Sequence, residues 1–181
     1  MNLNWKLNKT EHIVQDEWID FCKESFILPD GKEFSPFYNY SRRNFVVIIA
    51  RTKDGKYITV RQFRHGLKKV TTEFCAGGIE GSEHESALLA AKRELEEETG
   101  YISDNWKHIY TIPSNPTIAD NYAFLYYADN CEKVSNQHLD STEFLEVKEY
   151  TEDEINDLIK NNEFVQPIHL MGWLMVKKGV L

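Results

Sequence analysis

The chain of 181 residues is 41% hydrophobic and 13% aromatic, enough apolar mass for one good core and too little for two independent domains. A formal net charge of −8 and a pI near 5.3 exclude a surface built to neutralise nucleic-acid backbone, and leave nucleotides in play only as small ligands. Cys22, Cys75 and Cys131 are odd in number and lack metal or CxxC spacing, so they read as free thiols in a reducing compartment. The first residues have no apolar run of signal-peptide type and no segment has the length of a membrane span, so a cytoplasmic protein is expected.

Residues 1–40 spread Trp5, Leu7, Ile13, Trp18 and Phe21 between polar residues, with a turn at Pro29-Asp30-Gly31. This is a pattern of short strands that cannot fold alone, and it is set apart from a main domain at 41–181. Runs rich in β-formers follow at 43–50 (RNFVVIIA) and 56–63 (KYITVRQF), and Asp54-Gly55 between them signals a hairpin. A glutamate-rich helix comes next. Beyond it, 106–112 and 122–128 form another expected pair of strands, and 144–150 a further one. Thr151 and Glu154 make a capping box ahead of Ile155, Leu158 and Ile159, and Pro167 opens a last helix that ends before Gly179. Mixed strands around one central helix, followed by terminal helices, define an α/β sandwich.

The central helix carries the chemistry. At about 100° per residue, Glu94, Glu97 and Glu98 fall within roughly 100° of arc, while Glu96 points away. Like charges so spaced destabilise a helix by a few tenths of a kcal/mol per pair, which makes sense where a hard divalent cation takes up their oxygens. Leu88, Ala91 and Leu95 form a neighbouring apolar stripe that pins the helix to a sheet. Ser82 with Glu85 forms one capping box and Ser86 is a second N-cap candidate; both starts stay open. Gly100 is a natural left-handed terminator. A glutamate run alone is ordinarily a solvated face. An Arg-Glu pair, two more carboxylates at helical spacing, a stop glycine and an upstream Ala-Gly-Gly loop do not follow from solubility.

The run Arg93-Glu94-Leu95-Glu96-Glu97-Glu98-Thr99-Gly100-Tyr101 reads REUxEExGU, with U a bulky apolar residue, and resembles the signature core of the Nudix hydrolases. Glu85 precedes Arg93 at the family's spacing, whereas seven residues separate Gly77 from Glu85 where the pattern has five. An insertion in that loop leaves the helical carboxylates unrotated. The resemblance implies a Nudix-type α/β/α sandwich with a mixed sheet, extended at the N-terminus by the 1–40 strands. It is closest to the ADP-ribose pyrophosphatase branch: VRQFRHG at 60–66 and EFCAGGIE at 73–80 are similar to elements there, with Cys75 in place of a proline.

That resemblance implies hydrolysis of a nucleoside diphosphate joined to another moiety, with ADP-ribose giving AMP and ribose 5-phosphate as the leading expectation. Another NDP-sugar or a dinucleotide is the alternative substrate. A non-catalytic ligand sensor on the same fold is the alternative class. Magnesium, or manganese in its stead, would be held by Glu94, Glu97 and Glu98 and, as the resemblance implies, by the Ala76 carbonyl. Arg93 would orient a glutamate through a bidentate pair, or form a plain structural salt bridge. Arg64 would meet the diphosphate, and as an isolated strand arginine it would be a surface charge. Pro116 falls where ADP-ribose enzymes carry a proline, although SNPTIADN lacks the glycines that usually follow. The resemblance places the general base on a downstream glutamate. Loop position favours Glu143 over Glu146, and Glu97 is the other candidate. Residues 1–40 are expected to make a homodimer, and Trp18, Phe34, Phe37 or Tyr38 either stack on a nucleobase or pack on the sheet.

Overall fold

The computed structural model describes residues 2–81 and 86–179. Two compact units emerge: Met1–Arg43 with Pro113–Tyr122, and Asn44–Ile112 with Ala123–Leu181.

In the first unit β1 (Lys6–Gln15), β2 (Asp20–Ile27) and β3 (Glu33–Ser41) form an antiparallel sheet in that order. The 113–122 segment joins it through a bridge between Tyr40 and Ala119 and the Tyr40 N–H donating to the Ile118 carbonyl at 2.9 Å. Little of this sheet is buried, and β1 is exposed at nearly every position. Its aromatics pack on one another instead: Phe21 stacks on Tyr38 at 5.8 Å, and Phe37 meets Trp5, Phe26 and Phe34.

The second unit is built around β4 (Phe45–Thr52), whose Val46 to Ala50 are all fully buried. A continuous apolar run of this kind belongs to a strand covered on both faces. Val46, Ile48 and Ala50 face α1 (Ala87–Thr99) through Ala90, Ala91 and Leu95. Val47 and Ile49 face the opposite way, toward Ile155 of α2 (Glu152–Lys160), Phe164 and Trp173 of α3 (Pro167–Lys177). The strand alternation thus produces the α/β/α layering expected from the sequence.

The hairpin at Asp54-Gly55 forms, but β4 and β5 (Tyr57–Arg64) pair only at Ala50–Ile58 and Arg51–Tyr57 before they part. Into the fork runs 69–78: β6 (Lys69–Glu73) pairs with β5, and β7 (Cys75–Gly78) pairs with β4, with buried Phe74 between them. On the far side of β5 lies β11 (Leu145–Tyr150). β10 (Tyr122–Lys133) runs parallel to β4 and carries β8 (Tyr101–Ile102) and β9 (Asn105–Pro113). The sheet is therefore mixed, with eight strands among the described residues. The wedge at 69–78 sets Ala76 and Gly77 beside α1 and so builds the site.

Helix α1 is capped by Ser86, whose hydroxyl accepts the Leu89 N–H at 3.3 Å; the other proposed start, Ser82 with Glu85, lies outside the described residues. Gly100 ends it at φ 75°, donating its N–H to the Glu96 carbonyl at 2.8 Å. Glycine is required there twice over, because a Cβ would also strike the Ser135 carbonyl oxygen. Both caps at Thr151 and the proline start of α3 appear as the sequence predicts.

Candidate active site

The helical face of Glu94, Glu97 and Glu98 lies against β7. Glu98 is buried, and its Oε2 accepts the Ala76 N–H at 3.3 Å. Glu94 is buried beneath Gly77, and a Cβ at that glycine would overlap the Glu94 carboxylate. The Ala-Gly-Gly loop is thus shaped to the carboxylates by the side chain it lacks. Glu97 is half-exposed, and Glu96 is exposed on the opposite side.

Arg93 binds this face together. Its Nη1 donates to Glu94 Oε1 and to Glu97 Oε2, each at 2.9 Å, and its Nη2 donates to the Gly78 carbonyl at 3.1 Å. One guanidinium so fixes two carboxylates and the loop. The remaining negative charge is poorly compensated. Burial pushes Glu98 up to about 8, with Glu94 and Glu143 adding to the rise against opposing bonds from Cys75 and Ala76. Burial likewise pushes Glu94 up to about 7, opposed by Arg93 and reinforced by Glu97 and Glu143. Burial also raises the Cys75 thiol well above its usual range, so Cys75 is a small core residue here.

Two buried carboxylates short of positive charge, under a glycine cradle, are a donor set of hard oxygens suited to magnesium or manganese. Among the described residues Glu94, Glu97 and Glu98 do not bring three donor atoms within 4.8 Å of one another, as expected of like charges with an arginine between two of them.

Glu143 lies just ahead of β11 and is exposed; its Oε2 accepts the Asp140 N–H at 3.1 Å, and its charge is felt by Glu94 and Glu98. Glu146, inside β11, is instead engaged by Arg61 at 3.1 Å and Lys148 at 2.6 Å, and Lys148 lowers its pKa. Arg64 ends β5 and grips the fully buried Glu73 through Nε, at 3.1 Å, and Nη2; Gln62 donates to the same carboxylate at 2.7 Å. The role of Glu73 as an anchor was not apparent from the sequence, because it is set by cross-strand register between β5 and β6. Pro116 belongs to the first unit, in a segment lining a pocket there. In that unit Trp18 is exposed with the Arg43 guanidinium 5.9 Å from its ring, Phe34 and Phe37 lie 5.1 Å apart, and Tyr38 is stacked on Phe21.

The carboxylate face of α1 thus lies buried behind a glycine loop on an α/β/α sandwich. The NUDIX domain matches residues 41–169, and the chain belongs to the Nudix hydrolases. It is 32% identical to the ADP-ribose pyrophosphatase of Bacillus subtilis (strain 168), over 99% of this chain and 97% of that one. It is 33% identical to the methanol dehydrogenase activator of Bacillus methanolicus, over 86% of this chain and 83% of the relative. Its fold is that of a crystal structure described as an ADP compounds hydrolase, with a TM-score of 0.86 at 18% identity, covering 99% and 96% of the two chains. No helix among the described residues is long and apolar enough to cross a membrane.

Proposed function

We propose that the chain is a magnesium-dependent pyrophosphohydrolase that cleaves ADP-ribose to AMP and ribose 5-phosphate. The observation that carries the metal requirement is the burial of Glu94 beneath Gly77 and of Glu98 beside Ala76, with the charge of the pair only partly offset by Arg93. The similarity to an ADP-ribose pyrophosphatase along nearly the whole chain supports the substrate. Glu94, Glu98, Glu97 and the Ala76 carbonyl would hold the cation. When bound, it neutralises the diphosphate oxygens and acidifies water.

The chain's own residues do the rest. Glu143 takes a proton from the attacking water, whose oxygen bonds to one phosphorus as the bridging P–O bond breaks and the electron pair leaves with the phosphate departing. Glu97 is the alternative base. Arg93 keeps Glu94 and Glu97 in place while the charge around them changes. Arg64, its inner edge fixed by Glu73, offers its outer N–H groups to the diphosphate. Pro116 is assigned a part in substrate binding on the family resemblance of its position. The 1–40 strands pair two copies into a homodimer in the cytoplasm, where the three free thiols stay reduced.

The test is a panel of ADP-ribose, other NDP-sugars and dinucleotides with and without magnesium, reading the monophosphate products as phosphate released by an added phosphatase. ADP-ribose should be turned over fastest, and only with metal. Preference for another NDP-sugar would move the substrate, and inactivity on the whole panel with metal would reject the enzyme reading.

A further inference from the structure

The first unit contains a cluster that the hydrolytic chemistry does not use. In the register of β1 on β2, His12 stands directly opposite Cys22, and Asp20 lies two residues before Cys22 on the same strand. Directly paired residues and i, i+2 neighbours share a face of a sheet. The side chains accordingly converge: His12 Nδ1 is 2.8 Å from Asp20 Oδ1 and 3.4 Å from Cys22 Sγ, and Cys22 Sγ is 3.2 Å from Asp20 Oδ1. They open into a pocket of ≈ 450 Å³, lined also by Thr10, Glu24, Asn39 and the 116–120 segment. Among the described residues this is the group of three metal-ligating side chains whose donor atoms lie within 4.8 Å of one another.

We propose that His12, Asp20 and Cys22 form a binding site for one divalent cation of the zinc class, separate from the carboxylates of α1. The donor set decides the class. A thiolate beside an imidazole and a carboxylate suits zinc and its borderline neighbours, whereas magnesium takes oxygen donors. The spacing agrees. With zinc bonds of about 2.0–2.3 Å, the edges of a tetrahedron between such donors come to about 3.4–3.6 Å, so each donor pair is within about 0.6 Å of its place. A water from the pocket would complete the coordination. Binding displaces the thiol proton to solvent and involves no oxidation.

The cation would act as a clip. β1 is exposed along nearly its whole length and the sheet has little core, so a bond network tying His12 of β1 to Asp20 and Cys22 of β2 supplies what apolar burial does not. Such a clip would hold whichever substrate the α1 site takes.

The experiment uses the full chain, stripped by chelation and titrated with cobalt(II) in millimolar magnesium, which occupies the hard-oxygen site. One equivalent should bind and give the near-ultraviolet thiolate-to-cobalt band, and zinc should displace it. Cys22→Ser should abolish the band, His12→Asn should weaken binding at least about tenfold, and Glu98→Gln should change neither. Zinc should raise the thermal midpoint of the wild type and not that of Cys22→Ser. Should Cys22→Ser fail to fold by circular dichroism, Asp20→Asn with His12→Asn carries the comparison. Absence of stoichiometric binding at micromolar cobalt, binding without a thiolate band, or binding undiminished in these variants would overturn the proposal.

Discussion

Glu94, Glu97 and Glu98 share one helical face and differ in surroundings: the first and last are buried, while Glu97 reaches solvent. That difference has a consequence for pH. Both buried groups titrate higher in the folded chain, near 7 and 8, than the 4.5 of an unconstrained glutamate. The folded state therefore binds protons more tightly, and unfolding releases them. Without metal, stability should fall as pH rises from about 4.5 through 7 and 8, and then level off, by on the order of a few kcal/mol. Calorimetry in chelator between pH 5 and 8 checks this. Glu98→Gln should flatten the slope, and an unchanged slope in that variant would assign the pH dependence to other groups.

At the scale of elements, α1 is held by the stripe beside its carboxylates. Leu95 is fully buried against β4, so Leu95→Ala should cost about 2–5 kcal/mol in denaturant unfolding, whereas Leu89→Ala on an exposed position should cost well under 1 kcal/mol. The helix and its face were legible because their periodicity is local: Glu94, Glu97 and Glu98 follow from 3.6 residues per turn, and Gly100 from its left-handed cap. The hairpin turn at Asp54-Gly55 and the box at Thr151 are local too. The fork between β4 and β5 was not legible. KVTTEFCAGG is buried through its middle and does not alternate, and its pairing with two different strands is decided by contacts far apart in sequence. For the same reason the Arg64–Glu73 pair and the His12–Cys22 pair, each set by cross-strand register, are invisible to any pattern along the chain.

At the scale of the molecule, the thin sheet of β1 to β3 with its exposed Trp5, Trp18, Phe34 and Tyr38 underlies the expectation of a homodimer. Light scattering at micromolar concentration should give twice the chain mass, and deletion of residues 1–40 should give a monomer with weakened substrate affinity. A full-length chain that scatters as a monomer would reject that arrangement.

The proposed hydrolysis depends on a cation gripped by the inner face of α1. Magnesium titration of ADP-ribose turnover in wild type, Glu98→Gln and Glu96→Gln tests it most directly. Glu98→Gln should lower turnover by orders of magnitude with weakened magnesium dependence, while Glu96→Gln, on the exposed side, should match the wild type. Equal losses at the two positions, or full turnover in chelator, would contradict it.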